Sequence, residues 1–142
     1  MGVPENVAVV RRWTSEGFGQ GRVELADELV AEDFVNHNPV PGQPPGREGV
    51  KAAVLGLRRA LPDLTVIEDD VIAEGDKVVL RDTISGTHLG PFAGVPATGK
   101  PVRISRIVIF RLEEGKLKEN WNVVDMLGAL QQMGAFPPPP RP

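Results

Sequence analysis

The sequence predicts an α+β fold in one domain. Its 142 residues suffice for one hydrophobic core and fall short of two. Apolar residues recur at helical spacing up to Pro62, whereas β-branched runs and apolar–polar alternation dominate from there to residue 124. Because the helices are not interleaved with the strands, we expect the strands to pair as an antiparallel meander.

The first two helices are indicated by short apolar patterns. Over residues 4–18, Val7, Val10 and Trp13 share one helical face, and Pro4 is suited to a first turn. Residues 23–30 are predicted to form a second, shorter helix. These two segments should each pack by one face against the core.

A loop and a longer helix are expected next. The segment NHNPVPGQPPG, residues 36–46, has the composition of a loop. Residues 47–61 are predicted to form the third helix, with the apolar stripe Val50, Val54, Leu57 and Leu61. Pro62 ends that helix because proline cannot continue the hydrogen-bond ladder.

Three segments then have strand patterns: LTVIEDDVIAEG, DKVVLRDTISGTH and PVRISRIVIFRLEEGKLKENWNVV. A short C-terminal helix over residues 126–133 follows them. We therefore expect a single domain over residues 1–136 and an extended proline-rich tail over residues 137–142.

The last hairpin is specific enough for a register to be predicted. A turn at Glu114-Gly115 pairs position 106 with 124, 108 with 122, and 110 with 120. One face then carries Arg106, Val108, Phe110, Asn120 and Asn122, and the other carries Ile107, Ile109, Leu117, Trp121 and Val123. Apolar residues on both faces indicate that neither face is simply solvated.

Composition excludes several classes of function. The 16 Lys and Arg and 19 Asp and Glu are interspersed, which offers no charged surface for nucleic acid or a membrane. With no cysteine, the chain has no disulfide, thiolate nucleophile or Cys-ligated zinc, and its two histidines lack metal-binding spacing. We expect no metal site. With no signal-like N-terminus or 18-residue apolar run, we expect a cytoplasmic protein.

Several motifs in order resemble one known family. They are FVNHNP, GTHLGPFAGVPATGK and IFRLEEGKLKENWNVVDMLGALQQMG. Together they resemble the SnoaL-type polyketide cyclases, within the ketosteroid-isomerase-like and nuclear-transport-factor-like superfamily, from about residue 6 to residue 134. The resemblance implies a cone-shaped, curved antiparallel sheet wrapped by N-terminal helices, with an apolar small-molecule cavity.

The resemblance also implies partners and chemistry. Family members are commonly dimers that pack sheet against sheet, which would use Ile107, Ile109 and Trp121. The family's cyclases close a ring by intramolecular aldol addition without cofactor or metal: a carboxylate removes a proton next to a carbonyl, and polar groups hold the enolate. In this chain the family's acid/base Asp position falls on Asn122, and the position of its partnering His falls on Val108. An amide is not a base near neutral pH.

Three other residues are candidates for the missing acid or base. His88 stands in the GTH motif and His37 in the FxxH segment, and imidazole titrates near neutrality. Each has a structural alternative, which is to fix loop backbone by hydrogen bonds. Asp125 stands between the last strand and the last helix, as a pocket acid or as an N-cap.

Substrate-binding residues are expected on the inner face of the hairpin and among the aromatic residues: Asn122, Arg106, Val108, Phe110, Trp13, Phe34 and Phe92. Arg106 either anchors a carboxylate or enolate oxygen or pairs with Asp82 or Asp125 inside the cone. The aromatic residues are either ligand contacts or core.

Three functions remain open on the sequence. The first is a cofactor-free cyclase or isomerase, and the second is a binding protein that has kept the cavity and lost the base. The third is an epoxide hydrolase, whose relatives on this fold use an Arg and two Asp around a water. Adjacent Arg81 and Asp82 face opposite sides of a strand and do not supply the R-x-D arrangement that function needs.

Overall fold

The computed structural model describes residues 2–136, so the predicted proline-rich tail, residues 137–142, lies outside the described residues. The helices are α1 (Val3–Arg12), α2 (Ala26–Leu29), α3 (Gly46–Ala60) and α4 (Met126–Gln132). The strands are β1 (Val30–Asn36), β2 (Thr65–Glu74), β3 (Lys77–Thr87), β4 (Pro101–Glu113) and β5 (Lys116–Val124). The α+β class is confirmed.

The first helix changes its winding where it reaches the core. After Arg12 the chain continues through a π-helical turn, Trp13–Phe18, in which Trp13, Gly17 and Phe18 are buried. A π turn widens the helix by one residue and rotates the side chains that follow it. A 3₁₀ turn, Val23–Leu25, then leads into α2.

The sheet is mixed, which corrects the expectation of a wholly antiparallel one. Its strand order is β1-β5-β4-β3-β2, and β1 runs parallel to β5. The helix predicted over residues 23–30 ends at Leu29, and β1 occupies residues 31–35, for which the sequence predicts no element, together with Val30 and Asn36. Only Val30 and Phe34 of β1 are buried, and Ala, Glu and Asp between them favour strands poorly. This strand depends on its distant partner β5 and has no strong local pattern.

The predicted register of the last hairpin is confirmed. Arg106 pairs with Val124, Val108 with Asn122 and Phe110 with Asn120.

The predicted face of Leu117 is wrong. The register shifts between Arg111 and Leu112, so that Leu117 lies opposite Leu112 and is 1% exposed in the core. A β-bulge at the turn end of β5 reverses the side-chain alternation there.

The core lies between the inner face of the curved sheet and the helices. Alternate residues of β3 and β4 point into it, including Val78, Leu80, Ile84, Val102, Ile104 and Val108. Helix α3 lies over β1, and Arg47 near its start donates from Nε to the carbonyl oxygen of Val30 at 2.9 Å. This packing leaves a partly open space beside β1 and β5.

Candidate ligand cavity

A cavity of about 160 Å³ opens between the inner face of the β1-β5-β4 sheet, the π turn and helix α3. Its apolar wall is formed by Trp13, Phe18, Val30, Phe34, Val40, Val50, Ala53, Val54, Phe110, Leu117 and Val124, and its polar wall by Asn36, Asn38, Gln43, Arg106, Asn120 and Asn122. An apolar wall with a few convergent polar groups is the composition of a small-molecule site, and a volume below the usual range of roughly 300–1,000 Å³ suits a compact ligand or one part of a larger ligand.

A second concavity, of about 400 Å³, lies on the surface between α1, α2 and the β4–β5 turn. It is open to solvent, and its wall carries the ion pair of Arg12 with Glu28, Nη1 to Oε1 at 3.0 Å. Because it lacks an enclosed apolar wall, the interior cavity is the better candidate for a ligand site.

Arg106 is the charged residue of the interior cavity, and it is held in place from two sides. Its Nε and Nη2 donate to the two carboxylate oxygens of Asp82 at 3.0 and 2.6 Å. Its guanidinium carbon lies 4.7 Å from the ring centroid of Phe18. Asp82 is fully buried, so the bidentate pair satisfies a carboxylate that would otherwise be costly to desolvate. The predicted pairing of Arg106 with Asp82 is confirmed.

The guanidinium keeps capacity for a ligand. It has five N–H groups, and Asp82 uses the Nε–H and one on Nη2. The remaining N–H groups, on Nη1 and Nη2, have no protein acceptor among the described residues. Arg106 therefore combines a fixed position with free donors on the cavity wall.

Hydrogen bonds of asparagine side chains connect the end of β1 and the loop after it to β5 on the polar wall. Asn36 Oδ1 accepts from the backbone N–H of Asn38 at 2.9 Å, and Asn38 Oδ1 accepts from the backbone N–H of Asn122 at 2.9 Å. Asn122 Nδ2 donates to Asn36 Oδ1 at 3.4 Å. Asn120 lines the same wall, and its buried Oδ1 has no hydrogen-bond partner among residues 2–136. The amides thus have defined orientations on one side of the cavity.

Several predicted binding residues lie on this cavity. Trp13, Phe34, Arg106, Phe110 and Asn122 all line it. Val108 is buried at 1% exposure directly opposite Asn122 but is not part of the lining. Phe92 lies on the β3–β4 loop, in an isolated bridge with Val95, away from the cavity.

The structure brings none of the predicted catalytic residues into the cavity lining. His37 lies on the opposite face of the sheet, where its ring stacks on Trp121 at a centroid distance of 4.7 Å. Its Nε2 is 2.8 Å from Glu119 Oε2. Hydrogen bonds from His37 and then from Arg111 hold the pKa of Glu119 below its usual value. His37 therefore fastens the start of the loop after β1 to the outer face.

His88 is fully buried at the end of β3. Its Nδ1 is 2.9 Å from Thr98 Oγ1, and its backbone N–H donates to the carbonyl oxygen of Lys100. Its Nε2 is buried and has no hydrogen-bond partner in the part of the chain that the structure describes. These contacts connect the two ends of the loop over residues 88–100, and the ring contributes through the hydroxyl of Thr98.

Asp125 caps helix α4. Its Oδ1 accepts from the backbone N–H of Gly128 at 2.9 Å, three residues on, and its own side chain is exposed. The N-cap alternative is thus confirmed for its position. A catalytic role for Asp125, His37 or His88 is untested, and their positions outside the cavity lining argue against it.

Sequence reasoning missed the part of the site that the unpredicted strand supplies. Asn36, Asn38, Val40 and Gln43 reach the cavity because β1 pairs with β5 and carries the following loop across the opening. Asn120 was placed on the inner face by its pairing with Phe110, and that pairing is the signal that could have identified it. No carboxylate or histidine is among the lining residues, and no group of metal-ligating side chains occurs in residues 2–136.

Comparison with known proteins agrees with this architecture. The family model described as SnoaL-like polyketide cyclase matches residues 8–133. Aklanonic acid methyl ester cyclase DauD of Streptomyces sp. (strain C5) is 28% identical, over 95% of this chain and 91% of the relative. Nogalonic acid methyl ester cyclase of Streptomyces nogalater is 25% identical, over 82% of this chain and 89% of that protein.

A solved structure is also similar over nearly its whole length. TsrD from Streptomyces laurentii superposes with a TM-score of 0.87 at 29% identity, covering 96% of this chain and 99% of that one. N-terminal helices, a five-stranded mixed curved sheet and a short C-terminal helix are the architecture shared with that structure. The chain belongs to the SnoaL-like polyketide cyclase family.

Within residues 2–136, no helix has the length and apolar character needed to cross a membrane.

Proposed function

We propose that this chain binds a polyketide-derived carbonyl compound in the interior cavity and closes a ring by intramolecular aldol addition, without cofactor or metal. Family membership supports the reaction class, and relatives are named as methyl ester cyclases of polyketide acids. The observation that carries the proposal is Arg106, a fixed cation with free N–H donors in an otherwise largely apolar cavity.

Arg106 is suited to stabilise an enolate. When carbon next to a carbonyl loses a proton, negative charge develops on the carbonyl oxygen. Preorganised donors in a site with little water stabilise such charge more strongly than water does. Asp82 and Phe18 hold the guanidinium before a ligand arrives, so little reorganisation is needed at the moment of reaction.

The proton balance involves water, because the lining lacks a side-chain base. The C–H proton passes to water at the cavity opening, and the enolate carbon then forms a C–C bond to a second carbonyl carbon of the same molecule. The resulting alkoxide takes a proton from water, which leaves a ring alcohol and no net change in protons. Asn122 positions the substrate in this scheme, because an amide does not accept the proton.

The test removes the ion pair as a unit. Arg106→Met alone would strand the buried Asp82 carboxylate, so the variant is Asp82→Leu with Arg106→Met. With aklanonic acid methyl ester as the first substrate, we expect ring-closure kcat/KM to fall by roughly 10²- to 10³-fold, the range for loss of one oxyanion donor. Product formation is followed by chromatography and mass spectrometry.

The matched control is Arg103→Met, which removes a guanidinium from an exposed position of the same strand. We expect it to retain wild-type turnover. A folded double variant, checked by circular dichroism, that turns over as fast as this control contradicts the role of Arg106.

A second candidate function is binding without turnover, and the observation that favours it is a lining free of carboxylate and imidazole groups. Native mass spectrometry of the purified protein then shows a retained small molecule, while ring closure stays at the rate in buffer. If wild-type protein closes the ring faster than buffer does, and Asp82→Leu with Arg106→Met does not, the protein is an enzyme. The epoxide-hydrolase alternative is disfavoured because, in the described part of the chain, Asp82 is the only carboxylate that contacts Arg106.

A further inference from the structure

The asparagine contacts determine which end of the Asn122 amide faces a ligand. A backbone N–H only donates, so its bonds identify the amide oxygens without ambiguity. The side-chain atom of Asn36 that accepts from the backbone N–H of Asn38 must be its oxygen, Oδ1. In the same way, the side-chain atom of Asn38 that accepts from the backbone N–H of Asn122 must be Oδ1. The Asn122 atom that meets Asn36 Oδ1 must then be the donor Nδ2, because two oxygens would repel.

The other end of the amide, Asn122 Oδ1, has no protein donor within residues 2–136 and is not enclosed. We infer that Asn122 Oδ1 is a hydrogen-bond acceptor for a ligand hydroxyl, and that the cavity selects molecules carrying both a hydroxyl group and a carbonyl oxygen. The carbonyl oxygen meets the N–H groups of Arg106, so this inference rests on the proposed binding function. Asn122 is thereby a specificity-determining residue.

The register places the two residues next to each other on the inner face of the sheet. Arg106 lies opposite Val124, and Asn122 lies opposite Val108, so Arg106 and Asn122 are diagonal neighbours on the inner face. Such neighbours lie about 7–8 Å apart between their Cα atoms. Bicyclic ketones that carry a ring hydroxyl at different positions therefore sample a range of separations between a carbonyl oxygen held by Arg106 and a hydroxyl held by Asn122.

The experiment uses 1-tetralone together with its 5-, 6- and 7-hydroxy derivatives and their methyl ethers as probes. Binding to the full chain is measured by isothermal titration calorimetry. For wild type we expect at least one hydroxy isomer to bind roughly 3- to 10-fold more tightly than its methyl ether, the size of one neutral hydrogen bond.

Two variants separate the acceptor role from a structural one. Asn122→Leu removes the acceptor and should abolish the preference for the hydroxyl. Asn122→Asp also loses the N–H donated to Asn36 but keeps acceptor oxygens, and it should retain or increase the preference. If the two variants change the preference equally, the acceptor role is overturned.

The outcomes also separate this inference from the function on which it rests. Wild-type protein that binds 1-tetralone, and binds each hydroxy isomer no more tightly than its ether, overturns the inference and leaves the binding function standing. Failure of every probe to bind overturns the inference, whereas the proposed function is overturned only if ring closure of aklanonic acid methyl ester also stays at the rate in buffer. Binding of 1-tetralone that is weakened by Asp82→Leu with Arg106→Met supports the carbonyl half of the site independently of Asn122.

Discussion

At the residue scale, substitutions of Asp125 can distinguish its role in the stability of α4 from a role in catalysis. It satisfies the N–H of Gly128 in the first turn of α4, a group that otherwise has no partner within the helix. Replacing Asp125 with Ala should destabilise the fold by about 1 kcal/mol, whereas Asn and Ser also cap and should cost less. Urea unfolding of the three variants measures this difference.

The same variants test whether Asp125 has a chemical role. Asparagine preserves the cap and removes the ionisable group, so Asp125→Asn should have both wild-type stability and wild-type turnover. A stable Asp125→Asn protein without turnover would identify Asp125 as the acid or base, contrary to its position outside the cavity lining.

At the element scale, the π turn brings Trp13 and Phe18 to the cavity, and it does so because Gly17 has no side chain. A Cβ atom at Gly17 would overlap the ring of Trp13. Gly17→Ala should therefore destabilise the protein by roughly 1–3 kcal/mol, since the ring would have to move within a packed core. Thermal unfolding and tryptophan fluorescence measure the loss of stability and the displacement of the ring.

The control for Gly17 is a glycine in the interior of α3. A Cβ at Gly56 would meet only the guanidinium of Arg59, at 3.8 Å, which is an ordinary contact. Gly56→Ala should stabilise the protein by up to about 1 kcal/mol, because alanine loses less backbone entropy in a helix. Equal effects of the two substitutions would refute the close packing of Trp13 on Gly17.

Elements with a strong local pattern were predictable from sequence, and elements fixed by distant partners were not. The hairpin of β4 and β5 has a defined turn, so its pairing from Arg106 to Phe110 followed from residue numbers. Strand β1 is held by β5, more than 80 residues away, and its short sequence has little strand character of its own. With β1 missing from the prediction, Asn36 and Asn38 could not be placed in the site.

The positions of individual site residues could be predicted where they depend on a local strand pattern. Alternation along β4 placed Arg106 on the inner face, and the structure shows it both paired with Asp82 and lining the cavity. His37 follows β1, and its position on the outer face depends on a strand that the sequence pattern does not reveal. Leu117 lies on the inner face because of the bulge at the turn end of β5, and local alternation does not predict that bulge.

At the scale of the whole molecule, the outer face of the sheet carries an apolar patch. Two cross-strand pairs form it: Ile107 with Val123, and Ile109 with Trp121. Ile107 is 46% exposed and Val123 is 73% exposed, although they lie on interior strands of the sheet. We propose that a second copy of the chain covers this patch, because identical flat patches are self-complementary across a two-fold axis.

A charge placed within the patch tests that assembly. Ile107→Glu would bring two carboxylates toward an apolar interface, where burying them without partners is costly. We expect wild-type protein to sediment as a dimer and the variant to sediment as a folded monomer at the same concentration. Leu55→Glu is the control, since Leu55 is 43% exposed on helix α3, away from the sheet. A wild-type monomer, or an Ile107→Glu protein that remains dimeric, would rule out this face as the interface.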